Sequence, residues 1–175
     1  MREGIEEAIS EIPRRRADVN RRLREIAQEY ERLRAEMEPG DERTAAMTQL
    51  VSRARGLSAS STPADPRRWY EQGTDGSRIV ALAAIQALKD PRNAVIVVDA
   101  IERPRSPFEQ FQALRAADFL LGSLDAQQVD ALRRAIESQL APQEGQGRWI
   151  TPQDPSRWTY AHYLLESKMR TPTVS

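Results

Sequence analysis

The chain has 175 residues, with 26 Lys and Arg against 26 Asp and Glu, one histidine and no cysteine. That length can bury a hydrophobic core without covalent staples. The missing thiols exclude disulfides, thiolate nucleophiles and cysteine-ligated zinc, and the charge balance argues against a dedicated nucleic-acid binder or a polybasic membrane module. MREGIEEAISEIP lacks the apolar run of a signal peptide, and no stretch approaches the roughly 18 apolar residues of a membrane span, so a cytoplasmic protein is expected.

The chain opens on a short predicted helix over residues 2 to 12, with Ile5, Ala8 and Ile12 as its apolar positions, and Pro13 is expected to interrupt it. A long helix follows from about Arg14 to Glu38. Val19, Leu23, Ile26, Tyr30, Leu33 and Met37 recur there at alternating spacings of four and three, a heptad seam among Arg, Glu, Gln and Ala. Such a seam needs a mate, from the same chain or from a second copy. Arg14, Arg15, Arg16, Arg21, Arg22 and Arg24 form a basic run that could meet phosphates, but Glu11, Asp18, Glu25 and Glu29 dilute it into an ordinary solvated face.

Pro39-Gly40 stops this helix, and Asp41 can cap the next, whose face is Met47, Leu50, Val51, Ala54 and Leu57. A short connection favours antiparallel neighbours, so residues 1–57 are expected to form a helical hairpin or coiled-coil arm. The Ser-, Ala- and Pro-rich stretch at 58–65 reads as a linker, leaving 66–175 as a multi-helix body.

In that body Asp65-Pro66 starts a short helix carrying Trp69 and Tyr70, and Gly73 and Gly76 are expected to break the chain. Residues 77 to 89 are apolar on most sides, as a central core helix would be. AVIVVDAI, from Ala94, has strand-like composition. It reads as helix because Pro91 follows a capping Asp90 and no second strand is available to pair with it. Ser106-Pro107-Phe108-Glu109 and Asp125-Ala126-Gln127-Gln128 both have the spacing of a capping box. After a loop over 141–153, Asp154-Pro155 opens a last helix with Trp158, Tyr160 and Tyr163, and DPSRWTY there echoes DPRRWY at 65. The fold class is therefore all-α.

The stretch from Gly76 to Leu121, on the strength of Gly76, Arg78, Leu82, Pro107, Phe108, Glu109, Gln110, Ala113 and Leu114, resembles HEAT-like helical accessory regions of large bacterial signalling or defence proteins. The resemblance covers about a third of the chain and carries no catalytic motif. It implies a regulatory or assembly role beside an effector domain.

For chemistry the sequence offers little. His162 would have to be the base of any nucleophilic triad, and neither Ser156 nor Ser167 sits in a nucleophile elbow. Glu109, Arg105, Asp99 and His162 are the residues a small carboxylate-dependent hydrolase would use, provided they converge on one pocket. No cofactor or metal is expected. The favoured reading is a non-enzymatic interaction module whose protein partner meets Trp69, Tyr70, Trp149, Trp158, Arg67, Arg68 and Arg157. Val19 to Met37 serve as a homodimer seam or an internal one, and an arginine-mediated nucleic-acid adaptor is the weaker alternative.

Overall fold

A computed structural model describes residues 2–60, 65–141 and 149–170, with side chains described from Ile12 onward. The described residues contain helices and no strand: α1 (Arg2–Glu36), α2 (Asp41–Ser60), α3 (Pro66–Gln72), α4 (Asp75–Leu88), α5 (Ala94–Glu102), α6 (Pro107–Leu120), α7 (Ala126–Leu140) and α8 (Pro155–Tyr163). No helix among them is long and apolar enough to cross a membrane. They form two compact units, residues 1–88 and 89–175. The boundary that composition suggests, at 58–65, falls inside the first unit, and its residues 61–64 lie outside the described ones.

The first unit is built around α4. Residues 76 to 86 of α4 are all buried, as a helix apolar on nearly every side must be, and α1, α2 and α3 each pack on it. Much of the heptad seam is spent inside this unit: Val19, Leu23, Ile26 and Tyr30 are buried, while Leu33 and Met37 are partly covered. On α2, Met47, Leu50, Val51 and Ala54 are buried as the periodicity predicts.

Two expectations about chain breaks are corrected. Pro13 does not interrupt a helix, because α1 is continuous from Arg2 to Glu36. A proline removes one ladder hydrogen bond, and the strong helix formers on either side outweigh that single loss. Gly76 does not break the chain either, since it lies in the first turn of α4. It is needed for proximity: a Cβ at this position would sit 2.1 Å from the Ala27 carbonyl oxygen and 2.7 Å from the carbonyl carbon. The bare glycine lets the start of α4 lie directly against the α1 backbone.

The α4 terminus is correspondingly well satisfied. Thr74 and Ser77 exchange hydrogen bonds, with Ser77 N–H donating to Thr74 Oγ1 at 3.0 Å and Thr74 N–H to Ser77 Oγ at 3.1 Å. Gly76 N–H donates to Glu31 at 2.7 Å, and Arg34 pairs with Asp75 at 2.6 Å. A carboxylate from α1 thus meets the positive end of α4. The helix ends at Lys89, whose φ of 53° is left-handed.

In the second unit α5 packs on α6 and α7, and α6 packs on α8. AVIVVDAI is helical, as α5. Asp90 caps a 3₁₀ turn at Pro91–Asn93 that precedes α5, rather than α5 itself. The Asp125–Gln128 capping box is reciprocal, and Gln128 also donates to the Pro91 carbonyl at 3.0 Å, joining α7 to that turn. Ser106 accepts the Glu109 N–H at 3.1 Å. The last helix stops being α-helical at Tyr163 and continues as a π-helical turn over Leu164–Lys168. Of the 141–153 loop, residues 142–148 lie outside the described ones.

Candidate functional site

The two similar strings, DPRRWY and DPSRWTY, both form aspartate-capped helix starts. In each an aspartate caps, a proline occupies the first turn, and the aspartate accepts a nearby arginine N–H, from Arg67 in one case and Arg157 in the other. Their burial is opposite. In α3 the tryptophan goes inward: Trp69 is 3% exposed while Arg67 and Arg68 face solvent. In α8 the arginine goes inward and Trp158 stays half-buried. The same string is rotated by one position about the helix axis, so it yields a core plug in one unit and a polar clamp in the other.

The clamp is a buried polar network in the second unit. Arg157 donates to Asp154 at 2.7 Å and to the Gln110 carbonyl oxygen at 2.6 Å. The Gln110 amide nitrogen then donates to the Ile101 carbonyl at 2.8 Å and to Gln139 Oε1 at 3.0 Å. The Gln139 carbonyl accepts the Ile150 N–H at 2.8 Å. Arg157, Gln110 and Gln139 are all buried, so the network joins α5, α6, α7, the 149–154 segment and α8 around one charge. The proposed partner-binding role of Arg157 therefore does not survive, because its guanidinium is committed inside the unit.

Beside this clamp the outer surface of α6 and α8 carries aromatic rings in series. Phe111 and Tyr160 lie 5.6 Å apart and tilted, and Tyr160 and Tyr163 are stacked at 6.1 Å. Lys168 sits 5.8 Å from the Tyr163 ring. The series passes from half-buried Phe111 to Tyr163, which is 42% exposed. Tyr160 is anchored by donating its hydroxyl to Asp118 at 2.6 Å. Burial, and then the Asp118 carboxylate, push this phenol well above its ordinary value of 10.0.

The sign of the pH effect follows. A phenol held neutral in the fold contributes stability that is complete below pH 10 and is lost as alkaline pH ionises the unfolded chain first. Tyr160→Phe should lower stability at pH 7 by about 1–2 kcal/mol, through loss of one hydrogen bond to a charged group at a half-buried site. It should also flatten the fall in stability above pH 10, measured by urea unfolding across that range.

The remaining sequence-selected residues are dispersed. Tyr70 has the Arg78 guanidinium 4.1 Å above its ring. Trp149 is 42% exposed. Trp158 packs its ring 4.4 Å from His162, whose Nδ1 lies 3.6 Å from Glu166. Of the hydrolase set, Asp99 is paired with Arg103, Glu109 is buried within α6, and Arg105 is exposed in the segment before α6. No group of three or more His, Asp or Glu able to hold a metal ion occurs among the described residues. In the first unit a cleft of about 440 Å³ lies between α1 and α2, lined by Arg22, Glu25, Ile26, Arg53, Gly56 and Leu57. At the basic run, Arg21 takes Asp18, which lies below its usual carboxylate range chiefly because of that hydrogen bond.

Sequence reasoning missed the Phe111–Tyr160–Tyr163 series. Its signal was present as Tyr160 and Tyr163, three residues apart on one helix, but the matching ring on α6 needs the tertiary fold. No family model matches the chain, and comparisons with curated proteins and with solved structures returned no match either.

Proposed function

We propose that this protein is a non-enzymatic helical module for protein interaction, assembly or regulation, which binds a protein partner or effector domain through the exposed end of the Phe111–Tyr160–Tyr163 series. The observation that carries this reading is Tyr163. It is a large amphipathic ring, open to solvent, stacked on an anchored ring behind it and flanked by a lysine. Tyrosine in a preorganised setting gives contact area at low entropic cost, which is why it recurs at binding hot spots. The clamp around Arg157 supports the reading by holding α6 and α8 in register. In this proposal the second unit works as a HEAT-like stack, and the protein works in the cytoplasm.

The test is photo-crosslinking from position 163 in the native host, with position 95, an exposed valine on α5, as the control. One protein should be recovered from 163 and not from 95. Tyr163→Ala with Lys168→Glu should weaken its binding to the purified chain at least about tenfold, with an unchanged melting temperature. Equal affinity of the variant would refute the assignment of this surface.

A further inference from the structure

Gly56 lies inside α2, where glycine costs helix stability relative to alanine. Packing does not call for it. Gly76 is held to glycine by the Ala27 backbone, but a Cβ at Gly56 would meet nothing within 4 Å. Its backbone does not call for it either, since its φ is not positive. What the missing side chain leaves is room: Gly56 forms part of the wall of the cleft of about 440 Å³ between α1 and α2. That volume lies in the range of small-molecule sites.

The rest of the lining divides by chemistry. Ile26 is buried and Leu57 half-buried, so the floor is apolar. Arg22 from α1 and Arg53 from α2 bring one guanidinium from each helix. Arg53 is steadied by donating Nη1 to Glu29 at 3.1 Å, a bond that uses one of its five N–H donors. Arg22 has its donors to spare. The neighbouring carboxylates are taken by Arg21, which hydrogen-bonds Asp18 and lies 3.7 Å from Glu25. Arg22 is left 3.8 Å from Asp18, beyond hydrogen-bond reach. Glu25, the carboxylate in the lining, is therefore answered from outside the cleft.

We infer that this cleft binds a small organic acid, a carboxylate carrying an apolar chain. The chain lies on Ile26 and Leu57 in the space that Gly56 keeps open, and the carboxylate is taken by Arg22 and Arg53. A planar guanidinium matches a carboxylate edge with two parallel N–H donors, so Arg22 has the geometry as well as the charge. An ammonium in the same place would meet two like charges. A carboxylate without an apolar chain gains nothing from the floor, and the two arginines are solvated enough that charge alone holds little. Affinity therefore comes from the two parts together and is modest, with a Kd of about 1 mM for an eight-carbon acid. The site belongs to the first unit and does not depend on the Tyr163 surface.

The full chain titrated with octanoate, and followed by its amide NMR shifts, should give saturable changes centred on Arg22, Ile26, Arg53, Gly56 and Leu57. Octylammonium and acetate should bind at least about tenfold more weakly. Arg22→Gln should weaken octanoate binding about fivefold or more, whereas Arg24→Gln, an exposed arginine outside the lining, should not change it. Gly56→Leu should fill the cleft and weaken binding at least about tenfold, with no fall in melting temperature, because leucine is the better helix former. The lost binding then cannot be laid to unfolding. No saturable shifts up to about 20 mM octanoate, shifts centred on other residues, octylammonium binding as tightly as octanoate, or a Gly56→Leu chain that binds as well as the parent would each overturn the proposal.

Discussion

Gly76→Ala is expected to destabilise the first unit by about 3 kcal/mol, although alanine is the better helix former by about 1 kcal/mol. The added methyl would lie 2.1 Å from a backbone oxygen of Ala27 and within 2.9 Å of its Cα. Neither atom can turn aside as a side-chain tip could, so α1 and α4 must separate. Separation also strains the contacts that dock the α4 terminus, Gly76 to Glu31 and Asp75 to Arg34. For a unit of this size the loss corresponds to a fall in melting temperature of roughly 15 °C. Trp69 is the only tryptophan of the first unit, the others being Trp149 and Trp158. In a Trp149→Phe, Trp158→Phe background its fluorescence therefore follows this unit alone. Gly56→Ala, in the same unit and with nothing within 4 Å of its Cβ, is the control and should not lower the transition. An unchanged Trp69 transition in Gly76→Ala would show that the close approach is not a constraint.

The second large effect is expected at the clamp. Arg157→Ala should cost the second unit about 3 kcal/mol, because it strips the Gln110 carbonyl oxygen of its charged donor and leaves Asp154 without its counter-ion. Asp154→Ala should cost about as much, since it leaves the buried Arg157 guanidinium without its counter-ion and also removes a helix cap. Arg157→Lys should recover little, as an ammonium lacks the planar fork that reaches both partners. Chemical denaturation followed by Trp158 fluorescence in a Trp69→Phe, Trp149→Phe background orders the three variants. An Arg157→Ala chain as stable as the parent would mean that the clamp contributes nothing.

These two positions also show what sequence can and cannot deliver. The helices were legible because their signals are local: Ser106 three residues before Glu109, Asp125 three before Gln128, an apolar stripe on α2. α5 was legible despite its valines because Asp90-Pro91 starts a helical turn and no strand partner existed. Gly76 was misread because glycine after a helix signals a break in most contexts, whereas here the deciding neighbour is Ala27, far away in sequence. Arg157 was misread for the same reason. Next to a tryptophan in a helix start it has the composition of a binding surface, and only Gln110 and Gln139 on two other helices reveal that it is buried. Pro13 was overweighted, since one lost ladder bond does not outweigh the strong helix formers on either side of it. The Phe111–Tyr160–Tyr163 series was half legible, its α8 residues from spacing and its α6 ring not at all.

The glutamine at 110 has one further implication. Its amide faces a fixed donor on one side, the Arg157 guanidinium, and fixed acceptors on the other, the Ile101 carbonyl and Gln139. Glutamate has the same shape but nothing to donate, and leucine offers neither function. Drift at any one of positions 110, 139 and 157 would thus be penalised until the others change with it. A dry interior at this point is therefore reachable only by replacing the three together.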